Sequence, residues 1–557
     1  MSAASTPSFR GRPVKALSFG TSGLRGLVED LTDLEAWVTV TGFLRFLERS
    51  GLSAPGPVHV AGDLRPSTGR ILSAVARAIE DAGYSVVDEG RVPSPTLAFA
   101  AFGAKRPSVM VTGSHIPFDR NGIKLCLPEG EAMKADEAPI LEGIAEARRA
   151  ADALAPEDSP FDDDGMLLPS AVPAPGASGT AHADFVARYV GFFGADALEG
   201  LRLAIYQHSA VGRDLLVELL SALGARVEPV GRSETFVAVD TEAVSAPMLA
   251  EIVAAAAPAK EKLGGLDAIL STDGDSDRPL LVAVNAAGEA SFVRGDTLGA
   301  LVAEDLDADA VAVPVSVSDL IDLHLGGKGT HIERTRIGSP YVIEAMAAMD
   351  GVCKVGFEAN GGFLLETRVE RKEVLGPLPT RDAFLPMISV LATQKHTGVG
   401  ITERVAALPA RFAAAGLVDA VPREVAQRAI SVFAPAEPIL ELWLDGIRSR
   451  AREAGEHPRS LAPSREEALQ PVLTTISDRF GELGALRHAS WVDGVRLAFE
   501  GGDVIHLRPS GNAPQFRLYT LANTAERAQE LVELGLGPDG AVTKLLAESG
   551  SAGTRLM

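Results

Sequence analysis

One order of elements recurs three times along the chain: an apolar strand, a polar loop, an amphipathic helix, a glycine turn and a second apolar strand. The copies begin near Val58, Leu201 and Ala310, and the third is the loosest. The strands are short apolar runs, which are typical of parallel strands covered on both faces. The helices place apolar residues at a spacing of about 3.6, and several end at glycine. The repetition predicts an α/β fold with three related α/β/α domains.

The last part of the chain has a different pattern. Apolar and polar residues alternate from Trp491 to Thr520, and a helical stretch follows from Asn523. This predicts antiparallel strands and a helix in a fourth, C-terminal domain of α+β type. Residues 394–484 have a helical, alanine-rich pattern to which no role is assigned. The expected domains are 15–165, 180–290, 291–405 and 425–557.

Composition and charge exclude several classes of protein. The formal net charge is −22, whereas general nucleic-acid binding needs a basic surface. Two cysteines, Cys126 and Cys353, do not make a disulfide framework and are expected to be reduced, as in the cytosol. No apolar run reaches the roughly 18 residues of a membrane span, and the N-terminus lacks the apolar core of a secretory signal. The sequence therefore predicts a cytoplasmic protein without nucleic-acid or membrane partners, and it leaves the oligomeric state open.

The stretch VMVTGSHIPFDRNGIKL ends a predicted buried strand on a small, flexible loop. Ser114 and His115 follow the strand, where open α/β sheets present ligand-contacting loops, and Gly113 allows a tight turn. The Ser114 hydroxyl could act as a nucleophile or carry a phosphoryl group, with His115 and Lys124 as candidates for proton transfer. A serine in an ordinary turn is the alternative for this segment alone.

Three aspartates alternate directly after another apolar strand, in STDGDSDRPLL. Asp273, Asp275 and Asp277 would repel one another unless a cation lay between them, and their oxygen ligands suit Mg²⁺ or Ca²⁺. An EF-hand needs a glutamate at the twelfth position from Asp273, where this chain has Val284. Mg²⁺ would leave positions open for a phosphoryl oxygen, and Arg278 could hold another anionic oxygen. The alternative is a solvated acidic turn.

Three further loops carry polar groups on glycine-rich turns. In VGFEANGGFLL, Glu358 and Asn360 could read paired sugar hydroxyls, although Asn-Gly also marks a hairpin turn. The loop HLRPSGNAPQFRLY combines an arginine guanidinium, a hydroxyl and open backbone N–H groups. This combination suits the binding of a phosphate, and a plain surface turn is the alternative. Its candidate residues are Arg508, Ser510, Gly511, Asn512 and Arg517. FGTSGLRG places Ser22 and Arg25 among three glycines. Arg25 is the group that could serve function there, and a simple turn with a surface arginine is the alternative.

Taken in order, these loops resemble those of the α-D-phosphohexomutase superfamily, which includes phosphomannomutases and phosphoglucomutases. The matching segments are FGTSGLRG at the start, TGSHIP as phosphoserine loop, DGDSDR as metal loop, FEANGG as sugar loop and RPSGNAP as phosphate loop. Each motif alone is of modest specificity, but five in family order span nearly the whole chain.

The resemblance implies four domains around a central cleft and a phosphoserine at Ser114. It implies that Asp273, Asp275 and Asp277 bind Mg²⁺ together with the serine phosphate. The other implied roles are charge stabilisation and proton transfer by Arg25, His115 and Lys124; sugar recognition by Glu358 and Asn360; phosphate binding by Arg508, Ser510, Gly511 and Asn512; a further substrate loop with Arg336, Gly338 and Ser339; and additional substrate contacts from Ser22, Arg278 and Arg517.

The resemblance also implies a reaction, the interconversion of hexose 1-phosphate and hexose 6-phosphate with hexose 1,6-bisphosphate as intermediate and activator. Mannose is the first choice of sugar, glucose the second and glucosamine the third. The chain departs from the family pattern at Ile116, in the absence of Ser and His from EANGG, and at Asn512 and Ala513. These departures bear on the sugar preference and the phosphate contacts, and they leave the assignment of the phosphoserine and the metal ligands intact. The competing interpretations are a metal-dependent sugar phosphatase and a non-catalytic sugar-phosphate sensor.

Overall fold

The computed structural model describes residues 8–10, 12–13, 15, 17–20, 23–52, 56–174, 176–242, 244–444, 449–453, 458–510 and 514–551. Contacts within the chain divide it into two compact units. The N-terminal unit comprises Met1–Ala312, Gly329–Glu333 and Gly338–Ala407, and the C-terminal unit comprises Val313–Lys328, Arg334–Ile337 and Leu408–Met557.

Sheet I is built from the first part of the chain. Its region contains β1 (Ser8–Phe9), β2 (Arg12–Pro13), β3 (Ser18–Phe19), β4 (Leu24–Leu27), α1 (Asp33–Arg49), β5 (Pro57–Gly62), α2 (Thr68–Asp81), β6 (Ser85–Asp88), α3 (Ser94–Ala104), β7 (Ser108–Val111), β8 (Arg120–Leu127), β9 (Gly130–Glu131), α4 (Glu137–Asp152) and β10 (Ala177–Ser178). The strand order is β10-β6-β5-β7-β8-β4-β3, with β9 paired to β8 and with β1 and β2 forming a separate pair.

Helices cover both faces of sheet I, as the continuous apolar strands predict. Along β7, Val109 and Val111 pack in the core cluster that contains Phe43 of α1. The intervening Met110 points the other way and packs with Leu97 of α3. Alternate side chains of one buried strand thus fill two different cores, which is why the sequence shows an unbroken apolar run there.

Sheet II follows with the order β12-β11-β13-β14-β15. Its region contains α5 (Ala181–Phe193), β11 (Arg202–His208), α6 (Arg213–Ala222), β12 (Arg226–Arg232), α7 (Ala246–Ala255), α8 (Ala257–Leu263), β13 (Ala268–Thr272), β14 (Pro279–Val284) and β15 (Ala290–Val293). A hairpin turn between Val284 and Ala290 joins β14 to β15.

Sheet III has the order β17-β16-β18-β19-β22. Its region contains α9 (Gly295–Asp305), β16 (Ala310–Pro314), α10 (Leu320–His324), β17 (His331–Thr335), α11 (Ser339–Ala348), β18 (Lys354–Phe357), β19 (Phe363–Leu365), β20 (Val369–Glu370), β21 (Val374–Leu375), β22 (Leu378–Asp382), α12 (Phe384–Thr397) and α13 (Ile401–Ala406). The small strands β20 and β21 pair with each other.

The repeat seen in the sequence corresponds to the same arrangement of strands in sheets I, II and III. In sheets I to III a first strand (β5, β11 or β16) pairs in parallel with a second (β7, β13 or β18). That second strand pairs antiparallel with the strand that follows it, β8, β14 or β19. The loops after β7, β13 and β18 therefore occupy the same place in three related sheets, and they are the predicted phosphoserine, metal and sugar loops.

Sheet IV lies in the C-terminal unit and is antiparallel, with the order β23-β30-β29-β28-β27-β24-β25-β26. Its region contains β23 (Phe412–Val418), α14 (Arg423–Ser431), β24 (Ile439–Leu444), β25 (Ser449–Glu453), β26 (Arg459–Ser460), α15 (Pro463–Phe480), β27 (Leu486–Ser490), β28 (Val495–Phe499), β29 (Val504–Pro509), β30 (Phe516–Ala522), α16 (Ala525–Leu536) and α17 (Ala541–Ser551). Val495, Leu497 and Phe499 face the helices, as the alternating pattern predicts.

The segment 394–484 differs from its helical interpretation. It contributes β23 to β26 to sheet IV, alongside α14 and α15. Strand β23 is alanine-rich, yet Ala413 and Ala415 are exposed, and the segment is a strand because it pairs with β30 along its whole length. Its other face packs closely beneath α16, since a Cβ on Gly416 would lie 2.5 Å from Leu536 Cδ1. Pairing with a distant strand has therefore overridden the local preference for helix. The exact domain boundaries remain predictions. Among the described residues, no helix combines the length and apolar character needed to cross a membrane.

Candidate active site

Ser114 is fully buried at the carboxyl end of β7 in the N-terminal unit. Its backbone has a φ of 53°, a left-handed conformation that costs energy for a residue with a Cβ. Its N–H donates to Thr112 Oγ1 at 2.8 Å, and its hydroxyl donates to Asp273 Oδ2 at 2.7 Å. His115 Nδ1 lies 3.3 Å from the same hydroxyl. The structure thus brings the predicted nucleophile to the predicted metal loop.

Asp273, Asp275 and Asp277 form a buried group in which one ligand oxygen from each lies within 4.8 Å of the others. Burial, and then the charges of Asp275 and Asp277, raise the pKa of Asp273 well above its usual range. Asp275 Oδ1 and Asp277 Oδ1 are buried and have no hydrogen-bond partner among the described residues. Unpartnered carboxylate oxygens of this kind are the donors that a metal ion takes, so this group could hold one.

Lys124 faces two of these carboxylates from β8. Its Nζ lies 2.7 Å from Asp277 Oδ2 and also contacts Asp275 Oδ2. Burial opposes the charge of Lys124, but the two carboxylates outweigh burial and hold its pKa above the ordinary value. Burial likewise disfavours the charge of Asp275, and the adjacent Lys124 outweighs it, so the pKa of Asp275 is lowered. Both groups are therefore charged and paired at neutral pH.

Arg25, His115 and Arg278 surround the same loops. Arg25 lies on β4, opposite Gly122 of β8, and its pKa is lowered first by burial and then by the charge of Arg278. Burial and the charge of Arg278 lower the pKa of His115 to about 4. Arg278 Nε lies 3.7 Å from Asp277 Oδ1. The three predicted cationic or proton-transfer groups are thus close enough to influence one another.

Glu358 and Asn360 are both buried in the loop after β18. The Asn360 side chain shapes that loop, because its Oδ1 accepts from Gly362 N at 2.9 Å. Glu358 Oε2 accepts from Arg381 Nη1 at 3.1 Å. Sugar recognition by these two residues remains a prediction.

Arg381 is a site residue that the sequence analysis missed. It is 2% exposed, and its Nε and Nη2 both donate to Asp277 Oδ2, at 3.1 and 2.8 Å. Together with its bond to Glu358, one guanidinium joins the metal loop to the sugar loop. The residues on either side make further long-range contacts: Thr380 Oγ1 donates to Glu131 Oε1 at 2.6 Å, and Asp382 accepts from the Tyr189 hydroxyl. The sequence signal was a charged Arg-Asp pair that ends an otherwise buried strand.

Of the remaining candidates, Gly338 and Ser339 belong to the N-terminal unit, and Arg336 and Arg508 belong to the C-terminal unit. Ser339 Oγ donates to Glu131 Oε2 at 3.0 Å, and Gly338 precedes α11 with a φ of 132°. Within the C-terminal unit, Arg336 Nε donates to Val492 O at 3.4 Å and Arg508 Nε donates to Asp493 Oδ1 at 3.1 Å, so one turn contacts both arginines.

The phosphate loop after β29 is only partly described. Ser510 N donates to Gln515 O at 2.8 Å, and Arg517 lies opposite Arg508 on β30. Gly511 and Asn512 of the same loop lie outside the described residues, as does Ser22. Their roles stay predictions.

Comparison with known proteins agrees with this geometry. Residues 16–152 match the family model for phosphoglucomutase/phosphomannomutase α/β/α domain I, and residues 294–412 match the model for α/β/α domain III. A phosphomannomutase of Salmonella muenchen is 36% identical over 521 residues, covering 93% of this chain and 94% of that protein. The chain belongs to the phosphoglucomutase/phosphomannomutase family. A phosphomannomutase of Sinorhizobium fredii is also 36% identical, covering 93% of this chain and 98% of that protein.

A solved structure supports the fold of the family. The phosphoglucomutase/phosphomannomutase family protein of Burkholderia thailandensis matches with a TM-score of 0.61 at 17% identity, covering 95% of this chain and 97% of that one. The expected family, the multi-domain α/β fold and the class of enzyme, a phosphohexomutase-type isomerase, are therefore confirmed.

We expect Arg381→Lys to lower kcat/KM by about 10- to 100-fold. Lysine keeps the charge but cannot bond Asp277 and Glu358 at once, and each charge-assisted bond is worth about 1.5–3 kcal/mol. Steady-state kinetics of the mutase reaction would measure the change. Arg404→Lys is the matched control, since Arg404 is a largely buried arginine paired with Asp305 outside the site. Equal losses in the two variants would contradict a specific role for Arg381.

Proposed function

We propose that this enzyme interconverts hexose 1-phosphate and hexose 6-phosphate through a phosphoserine at Ser114 and a hexose 1,6-bisphosphate intermediate. The observation that carries the proposal is the 2.7 Å bond from Ser114 Oγ to Asp273, which places a buried hydroxyl against three carboxylates. A serine that only formed a turn would not lie against a buried group of carboxylates. Mannose is the preferred sugar, since the two relatives at 36% identity are both named phosphomannomutase.

Asp273, Asp275 and Asp277 would hold Mg²⁺. The donor set fits, because it consists of carboxylate oxygens, it is compact, and two of its buried oxygens have no partner in the described structure. When bound, Mg²⁺ would stabilise negative charge on the transferring phosphoryl group. Lys124 pairs with both Asp275 and Asp277, and Arg381 pairs with Asp277, so these two carboxylates are held in position.

The residues around Ser114 account for the proton balance. In the first transfer, the bond from phosphorus to Ser114 Oγ breaks as the free sugar hydroxyl bonds to phosphorus. The sugar hydroxyl gives up its proton in this step, and Ser114 Oγ gains one. His115 lies within reach of Oγ and is the first candidate for this proton transfer, and Lys124 is the second. After the bisphosphate reorients, the reverse steps move its other phosphoryl group to Ser114. Arg25 and Arg278 would balance the charge of the phosphates, and no inorganic phosphate is released.

A coupled assay tests the proposal. The purified full chain, Mg²⁺ and a trace of hexose 1,6-bisphosphate would be given mannose 1-phosphate, glucose 1-phosphate or glucosamine 1-phosphate, and the 6-phosphate and free phosphate would both be quantified. We expect the 6-phosphate without free phosphate, fastest with mannose. Free phosphate as the main product would establish a phosphatase instead, and a faster reaction with another sugar would overturn the preference for mannose.

A further inference from the structure

Arg65 is a second buried arginine near Ser114, and it lies in none of the motifs discussed above. Its side chain is fully buried. A guanidinium has five N–H donors, and all five are used. Nε donates to Asp63 Oδ2 at 3.1 Å. The other four donate to backbone carbonyls of the phosphoserine loop, those of Ser114, Ile116, Pro117 and Arg120, at 2.9, 2.5, 2.5 and 2.9 Å.

Asp63 holds the beginning of the same loop. Its carboxylate accepts from Thr112 Oγ1 at 2.9 Å and from Gly113 N at 3.3 Å, in addition to Arg65. Thr112 Oγ1 in turn accepts from Ser114 N at 2.8 Å. The peptide groups on both sides of Ser114 are therefore fixed, the N–H through Thr112 and Asp63 and the carbonyl through Arg65.

The fit around Arg65 leaves no space for a side chain at Gly113. A Cβ on Gly113 would lie 2.5 Å from Arg65 Cζ, so only glycine lets the loop pass over the guanidinium. The ring of Phe236 covers the guanidinium, with its centroid 4.0 Å from Cζ. A Cβ on Gly274, in the metal loop, would lie 2.5 Å from Ser114 O and 3.2 Å from the Phe236 ring. Arg65 therefore lies at the junction of the phosphoserine and metal loops.

We propose that Arg65 is a positioning residue that fixes the backbone conformation of the phosphoserine loop and thereby holds Ser114 in its left-handed conformation against Asp273. The proposal rests on the proposed chemistry at Ser114 and extends it to a residue that touches no reacting atom. Four carbonyls that converge on one cation need a planar, five-donor group, and an ammonium cannot satisfy them. A displacement of a catalytic group by about 1 Å can cost about 100-fold in rate.

Arg65→Lys tests this role, with Arg148→Lys as the matched control. Arg148 is also a buried arginine in a carboxylate pair, with Glu35, and it lies between α1 and α4 away from the loop. We expect Arg65→Lys to lower kcat about 100-fold while KM for the hexose phosphate is unchanged. Phosphorylation of Ser114 by hexose 1,6-bisphosphate, followed by intact-mass spectrometry in single turnover, should slow by the same factor. Arg148→Lys should keep both rates at the wild-type level, even if its melting temperature falls as far as that of Arg65→Lys.

Phe236→Leu provides a milder test if Arg65→Lys does not fold. Phe236 is only partly buried, so its loss leaves the core intact but removes the ring from the guanidinium. We expect kcat to fall about fivefold with KM unchanged. Wild-type kcat in either variant, or a rise in KM without loss of kcat, would overturn the role of Arg65. An unphosphorylated and inactive wild-type enzyme in the same experiment would instead contradict the proposed function itself.

Discussion

Ser114→Ala should reduce mutase turnover by about 10⁴- to 10⁶-fold, the loss seen when a covalent nucleophile is removed. Both the chemistry of the serine hydroxyl and its position explain this loss. Ser114 Oγ is buried against Asp273, with His115 as its other neighbour. Alanine would leave no oxygen in that position to take the phosphoryl group. The coupled assay measures the loss, and intact-mass spectrometry after incubation with hexose 1,6-bisphosphate should show a phosphoryl adduct on the wild type only.

Ser389→Ala is the control for this substitution. Ser389 is fully buried in α12, and its hydroxyl has no hydrogen-bond partner among the described residues. Its removal should leave turnover unchanged. The binding of sugar phosphate to Ser114→Ala should also persist, because the predicted substrate contacts come from other loops. If the variant kept a large part of the wild-type rate, the phosphoryl group would have to travel by another residue, and the proposed mechanism would be wrong.

The loops around Ser114 could be predicted because each is a short, contiguous segment at the end of an apolar strand. Asp273, Asp275 and Asp277 lie within five residues of one another, so their repulsion is visible in the sequence itself. The repeated strand order of sheets I to III then explains how the phosphoserine, metal and sugar loops come to equivalent positions. Local patterns and one repeat identified these loops as candidates, and the resemblance to the phosphohexomutases supplied their expected roles.

Arg65 and Arg381 could not be found in that way, because their partners are distant along the chain. Arg381 and Asp277 are separated by 104 residues, and Arg65 and Ser114 by 49. Both arginines end up almost fully buried, which is costly unless every donor meets an acceptor. Only the folded chain shows those acceptors. Strand β23 illustrates the opposite error: an alanine-rich segment was interpreted as helix, whereas it pairs with β30 at the edge of sheet IV, a partner about 100 residues away that no local pattern shows.

Asp275→Asn should lower the rate by about 10³-fold and weaken the binding of Mg²⁺, while Ser114 can still be phosphorylated slowly. Asparagine keeps the shape of the side chain but removes one of three carboxylate charges. Asp275 Oδ2 accepts from Ser94 Oγ at 2.6 Å and contacts Lys124 Nζ. An amide nitrogen there would oppose the ammonium group of Lys124 instead of accepting from it. The positive charges of Lys124 and Arg381 would then equal those of the two remaining aspartates in number, and a divalent cation would bind less tightly.

A titration of the rate with Mg²⁺, after treatment with a chelator, measures this effect. The wild type should lose activity on chelation and regain it at low Mg²⁺, whereas Asp275→Asn should need far more Mg²⁺ and recover only a small fraction of the rate. Asp267→Asn is the matched control, because Asp267 precedes the same strand β13 and pairs with Arg202 away from the loop. A wild-type response to Mg²⁺ in Asp275→Asn would show that the metal binds elsewhere. In that case the three aspartates would act as the counter-charge that fixes Lys124 and Arg381 around Ser114.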